Sequence, residues 1–337
     1  MRGRRDPGAG ETVRRACLLL ASILCAAGLI VAGGHWLEKR QEKPETRGDY
    51  HQRYAYEETI EVDGVTYRRR AGLTSVLLMG IDRAGDAVVS GYRNGGQSDF
   101  LRLMVIDSAA KRITQLQIDR DTMTPITILG VLGNQSGVRT AQICLSHGFG
   151  NGREQSCELT RDAVSNLLLG TTVDFYAAMN LDGISALNDW AGGVTVTLED
   201  DFSALDPTMT TGRTLTLMGD QAEYFVRSRM SIGVGTNEAR MKRQQQYIAQ
   251  LSAQLGERMH ESQETIGSLY DTLAPYLITD LSRGRLINEA WAARDYETRL
   301  GELPGSYAIG SDGFMEFWPD EAQLKRTVLE LCYEKVE

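Results

Sequence analysis

The chain has 337 residues, 42% of them hydrophobic and 24% charged, so it is globular, with room for one sizeable core and a second small unit. A net charge of -9 excludes a general nucleic-acid binder, because binding the phosphate backbone needs clustered, unopposed Lys and Arg. Any anion this protein holds is held locally.

In chain order, "MRGRRDPGAGETVRR" carries Arg2, Arg4, Arg5, Arg14 and Arg15, and Ala16 to Gly34 then runs 19 residues without a charge. As a helix that run would be about 29 Å long, close to the hydrocarbon thickness of a bilayer at about 30 Å. The arginines before it keep the N-terminus cytoplasmic and send the rest of the chain outside. An uncleaved anchor over 16–36 is favoured over a cleaved signal peptide, whose apolar core is usually shorter. Residues 1–15 then form a cytoplasmic tail and 37–53 a polar linker. A tail of about 15 residues leaves no room for a DNA-binding module.

"TIEVDGVTYRRR" alternates around Asp63-Gly64, a hairpin signal that opens the folded domain. "LTSVLLMGID", "FLRLMVID" and "RITQLQID" read as three strands, the first apolar enough to be buried on both faces. In "CLSHGFGNGREQSC", Cys144 and Cys157 are read either as a local disulfide or as two free thiols, and His147 has no second ligand at zinc-binding spacing. "LTRDAVSNLLLG" reads as a helix capped by Thr160 and stopped by Gly170. "VDFYAAMN", "LDGISALNDWAGG" and "VTVTLED" come next as strand, helix and strand.

A helix over "DQAEYFVRSR" precedes a long one from Asn237, with Met241, Ile248, Leu251 and Leu255 as its buried stripe. Beyond about residue 256 the pattern gives further helices, then a last strand and helix. The expected fold is α/β, a mixed central β-sheet sandwiched between helices, with a catalytic domain at 54–256 and a C-terminal extension at 257–337.

Several polar residues break apolar elements at their ends: Asp82, Asp99, Arg120, Arg227, Arg229, Arg240, Arg243 and Gln244. Two carboxylates plus several arginines suit a Mg²⁺-bridged di- or triphosphate, since the hard cation takes carboxylate and phosphate oxygens while guanidiniums neutralise the remainder. On the long helix Arg240, Arg243 and Gln244 share one face. The same residues also read as ordinary surface charges and strand-end caps, and spacing alone favours that plainer reading.

The ordered set "LLMGID", "GQSDFLRLMVID", "KRITQLQIDRDT", "AGGVTVTL", "GDQAEYFVRSR" and "NEARMKRQQQ", behind an N-terminal anchor, resembles the LytR-CpsA-Psr family of cell-wall glycopolymer ligases. The resemblance covers about residues 73–255. It implies an extracytoplasmic phosphotransferase anchored in the bacterial cell membrane by one helix. Such an enzyme takes a glycopolymer, such as teichoic acid or capsule, from a polyprenyl-pyrophosphate carrier to a peptidoglycan acceptor, with pyrophosphatase action on the carrier as a side activity. It also implies an apolar tunnel for the lipid tail, although the same apolar residues would equally fill an ordinary core.

Carried over by position, Asp82 and Asp99 match the acids that hold Mg²⁺, and Arg120, Arg227, Arg229 and Arg240 match phosphate-binding arginines. Gln244 matches the glutamine that comes after them, and Asp121 and Arg243 flank these positions as substrate-site residues. Two departures stand out: Gln97 where the family commonly has Arg, and Asn237, with Glu238 beside it, where it commonly has Asp. Losing one Arg and one Asp leaves the local charge unchanged but removes a guanidinium fork. The alternative is a non-catalytic scaffold that binds polyprenyl phosphates during wall assembly.

Overall fold

The computed structural model describes residues 59–83, 95–130, 132–228 and 237–336. The expected anchor and linker lie outside the described residues. Among the described residues, no helix is long and apolar enough to cross a membrane. The chain divides into two compact units, Asn180–Leu277 and the remainder, each described by itself.

The larger unit opens with β1 (Thr59–Val62) and β2 (Val65–Arg69), an antiparallel hairpin. Its turn residues Asp63 and Gly64 both take positive φ, 52° and 76°, which matches the twist of a two-residue hairpin. The three apolar runs become β3 (Leu73–Ile81), β4 (Ser98–Asp107) and β5 (Arg112–Ile118). Neighbours among them are antiparallel, with Leu73 opposite Asp107 and Asp107 opposite Arg112. A second hairpin, β6 (Met123–Leu129) and β7 (Gln135–Gln142), carried no usable signal, because Pro125 interrupts one strand and six consecutive positions of the other are exposed.

A single helical turn, α1 (Leu145–Gly148), precedes α2 (Glu154–Leu167) and β8 (Phe175–Asn180). Here the structure corrects the expected cap. Helix α2 starts at Glu154, and Thr160 lies inside it, buried, its hydroxyl donating to Ser156 O at 2.9 Å. The cap position is Arg153, which makes no side-chain cap bond, and Ser156 in the first turn accepts the Gly152 amide through Oγ at 2.8 Å. The stop falls where expected: Gly170, with φ of 80°, donates its amide to Ser165 O at 2.8 Å.

The smaller unit contains α3 (Asp182–Trp190), the antiparallel pair β9 (Val194–Thr197) and β10 (Thr214–Leu217), α4 (Asp220–Arg227), α5 (Asn237–Met259) and α6 (Gln263–Leu273). Phe202 and Phe225 stack at 5.8 Å in its core, and Leu251 and Leu255 of α5 are fully buried, as the stripe predicts. The side chains of Met241 and Ile248 lie outside the described residues.

The chain then returns to the larger unit through β11 (Leu277–Thr279), α7 (Arg283–Ala293), β12 (Glu297–Glu302), β13 (Gly305–Ile309), β14 (Met315–Pro319), α8 (Glu321–Cys332) and β15 (Tyr333–Lys335). The stretch after 257 is therefore much richer in strands than helical periodicity suggested. The six-stranded sheet has the order β11-β8-β3-β4-β5-β12, and β12 joins β5 in parallel, so the sheet is mixed. One sheet face, with Leu77, Leu101, Leu103 and Leu116, packs on α2 through Ala163 and Val164 and on α8 through Leu324 and Val328. That apolar layer holds the loops at the strand ends.

Candidate functional site

The site grows from the ends of β3, β4 and β5. Strand β3 finishes at Ile81, opposite Ser98, and the next residue, exposed Asp82, donates its amide to Gln97 O at 2.9 Å. This backbone bond sets the two acidic positions, Asp82 and Asp99, at neighbouring strand ends. Gly95 and Gly96 are required there. A Cβ at Gly95 would sit 2.9 Å from His147 O, and Gly96 has φ of 74° with Ile81 Cγ2 only 3.0 Å from where a Cβ would be.

Arg120, just past β5, reaches this corner. Its Nη1 lies 2.5 Å from Asp99 Oδ1, its Nη2 donates to Gln97 Oε1 at 2.5 Å, and its Nε is 3.6 Å from Asp121 Oδ1. The Arg120 and Asp99 side chains remain 37% and 39% exposed, so a phosphate arriving from solvent would meet the guanidinium. Burial disfavours charge on Arg120, but the Cys144 sulfur, Asp99 and Asp121 outweigh it and raise its pKa. Burial also lifts the Asp121 carboxyl above its ordinary value, against the pull of Arg120 and with a push from Asp119.

The two acids around Arg120 differ in role. Asp119 is spent on the backbone: Oδ1 accepts the Asp121 amide at 2.8 Å and Oδ2 accepts the Tyr307 hydroxyl at 2.5 Å. That second bond pushes the Tyr307 phenol up to about 12. Asp121 faces the guanidinium. The loop is thus pinned from below and its arginine is steered from the side.

Cys144 and His147 complete the support, and sequence reasoning gave neither of them a part in it. The Cys144 amide donates to Arg120 O at 3.1 Å, its carbonyl accepts from the Ser98 amide at 3.2 Å, and its sulfur lies 3.5 Å from Arg120 Nη2. Burial pushes its thiol up to about 11, although Arg120 pulls the other way. Cys144, Cys157 and Cys332 are all free thiols, which decides between the two readings of the Cys144 and Cys157 pair. Cys157 points elsewhere, with Sγ 3.9 Å from His147 Nε2.

The His147 ring is buried. Its Nδ1 sits 3.2 Å from Gly96 O, a carbonyl that only accepts, so Nδ1 carries the proton. Burial holds its pKa down to about 4, so the ring is neutral and acts as a strut under the Gly95-Gly96 turn.

The remaining candidates belong to the smaller unit. Arg227 ends α4, and Asn237, Glu238, Arg240, Arg243 and Gln244 lie on the first turns of α5. Arg229 and the side chains of Arg227, Asn237, Glu238, Arg240 and Gln244 lie outside the described residues. Arg243 is buried, its Nε donating to Phe225 O at 3.1 Å, its Nη1 to Asp200 Oδ2 at 2.7 Å and its Nη2 to Ser228 O at 2.6 Å. All three nitrogens are engaged, so this guanidinium braces the end of α4 between Arg227 and Arg229.

Among the described residues, no group of three or more His, Cys, Asp and Glu side chains could hold a metal. Asp82 and Asp99 stand at neighbouring strand ends, and one or two carboxylates are what Mg²⁺ commonly takes from a protein, its shell completed by phosphate and water.

Strand-end acids with an exposed arginine held at Asp99 agree with one more observation: the sequence matches the LytR_cpsA_psr family over residues 40–327. The chain belongs to the LytR-CpsA-Psr family. It is 29% identical over 262 residues to "Cell wall biosynthesis protein LcpA" of Corynebacterium glutamicum, covering 69% of this chain and 48% of that one. It is 28% identical over 207 residues to "Polyisoprenyl-teichoic acid--peptidoglycan teichoic acid transferase TagU" of Halalkalibacterium halodurans, covering 61% and 60%. The chain thus spans about half to three-fifths of the length of these relatives. The crystal structure of B. subtilis TagV shares the fold, with a TM-score of 0.54 at 21% identity over 77% of this chain and 97% of that one.

Proposed function

We propose that this LytR-CpsA-Psr protein is an extracytoplasmic phosphotransferase that moves a glycopolymer from a polyprenyl-pyrophosphate carrier to peptidoglycan. The observation that carries the reading is the half-exposed Arg120 guanidinium, held at the strand ends by Asp99, Gln97 and Asp121. The relative named as a teichoic acid transferase supports it.

In this reading an acceptor sugar hydroxyl, the C6 hydroxyl of muramic acid, attacks the sugar-proximal phosphorus. A new P–O bond forms, the bridging P–O bond breaks, and polyprenyl phosphate departs with the electron pair. The hydroxyl proton passes to an exposed carboxylate or to water.

Arg120 exchanges its present partners for phosphate oxygens and stabilises the charge spread over them, and Asp121 keeps its fork oriented. Gln97 contributes an amide in place of a second cation, which lets the site relax around Arg120 without like-charge repulsion. Arg227, Arg229, Arg240 and Gln244 are further pyrophosphate-binding candidates, carried over from the family resemblance alone. Asp82 and Asp99 would hold Mg²⁺, which when bound neutralises phosphate oxygens. An anchor over 16–36 keeps the domain at the outer membrane face, where carrier lipid and wall meet.

The test is full-length protein in detergent with a polyprenyl-pyrophosphoryl saccharide and oligomeric peptidoglycan, with and without Mg²⁺. Transfer that needs Mg²⁺ and Arg120 supports the reading. Tight lipid binding without any product, unaffected by removal of Mg²⁺, would instead identify a scaffold.

A further inference from the structure

The β13–β14 hairpin is fastened to the Arg120 loop. Tyr307 Oη bonds Asp119, the Phe317 amide donates to Asp121 O at 2.8 Å, and Thr122 bridges to Phe317. Past these fixings, every residue of β13 is exposed. Trp318, Phe314 and Ile309 are 44%, 65% and 74% exposed, with Trp318 and Ile309 on opposite faces of the ribbon.

The register explains what is open. Trp318 stands opposite Ser306 and Glu316 opposite Ala308, so on the indole's face of the ribbon the partner strand offers only the small side chains of Ser306 and Ala308, with Glu316 beside the indole on its own strand. The indole Nε1–H donates to Glu316 Oε2 at 2.9 Å, which holds the ring still. A fixed, half-open aromatic plane beside a carboxylate acceptor is the surface a sugar ring takes, its C–H face on the indole and its hydroxyls on the carboxylate.

Charge selects among occupants. Between Gly301 and Leu324 stand Glu302, Asp312, Glu316, Asp320 and Glu321, with no Lys or Arg, and just beyond them Arg326 offsets Asp320. An anionic bilayer surface or a phosphate-rich donor polymer would be repelled, whereas an uncharged N-acetylhexosamine chain would not. We propose that this hairpin is a docking platform for the acceptor glycan, stacking one sugar on Trp318 and leading the strand toward Arg120. The proposal rests on the transferase reading and names the acceptor's place within it.

The experiment uses full-length protein in detergent and a neutral β-1,4-linked N-acetylglucosamine hexamer. Trp318→Ala should weaken hexamer binding about tenfold, the size of one lost stacking contact at about 1.4 kcal/mol. Trp318→Phe should weaken it less, and both variants should bind polyprenyl pyrophosphate as the wild type does. In the transfer assay Trp318→Ala should raise the acceptor KM with kcat little changed.

A wild type that ignores the hexamer, or equal hexamer affinity in wild type and Trp318→Ala, overturns the platform. So does a Trp318→Ala variant that loses only vesicle binding, which would mark a membrane contact. Trp318-dependent hexamer binding without transfer would support the platform and sink the transferase reading. Transfer with an unaltered acceptor KM would do the reverse.

Discussion

Arg120 and Arg243 were read from the sequence as members of one phosphate-binding set, and the structure gives them opposite environments. Arg243 is buried, with its nitrogens committed to Asp200 and two backbone carbonyls. Arg120 is more than one-third exposed and is held by side chains that move aside at little cost, Asp99 and Gln97. A guanidinium satisfied by buried carbonyls braces structure, and one satisfied at the surface by a carboxylate and an amide is free to exchange partners for a phosphate. Stability should depend on the first and activity on the second.

The largest expected effect tests the brace. Arg243→Met strands the partly buried Asp200 carboxylate and two carbonyls and should cost about 3 kcal/mol in urea unfolding. A loss under about 1 kcal/mol would break the contrast. Next, Arg120→Ala should lower the transfer rate by about 10²–10³-fold while shifting stability by only about 0.5 kcal/mol. Arg120→Lys should recover little, because a point charge does not reproduce the fork.

A third prediction concerns the strut beneath Arg120. The folded pKa of His147, about 4, lies below its ordinary 6.5, so its contribution is complete above pH 6.5 and is lost as pH falls through 4. Over that window wild type should lose roughly 2–3 kcal/mol more than His147→Gln, whose amide still donates to Gly96 but takes up no proton. Parallel pH curves for the two proteins in thermal unfolding would count against a neutral buried ring.

The smallest effect is at Cys144. With its thiol near 11 and buried, alkylation at pH 8 should be slow compared with a free thiol, and Cys144→Ser should change transfer by less than about threefold. Rapid labelling would mean that the corner opens.

Much of this was legible in advance, for particular reasons. Asp63-Gly64 announced its hairpin because few residue pairs tolerate two positive φ values, and the runs from Leu73 to Ile118 announced buried strands because they stay apolar. Arg120 was legible as the cation at a strand end. Thr160 misled because a hydroxyl bonded back to its own helix looks, in sequence, like a cap. The β13–β14 hairpin was missed although Asp312-Gly313 lies between its strands, because β13 is exposed on both faces and shows no alternation.

By itself the sequence determined the family, the central strands and which charged residues could meet an anion, since apolar period, turn chemistry and motif order are local properties of the chain. Only the tertiary structure decided that Gln97 bonds Arg120, that Asp119 and Asp121 divide their tasks, that Cys144 and His147 support the corner and that Arg243 is a brace. Several of those contacts join residues far apart in the chain, from 15 between Arg243 and Ser228 to 188 between Tyr307 and Asp119, and a guanidinium's role is set by which partners reach it and how much water remains.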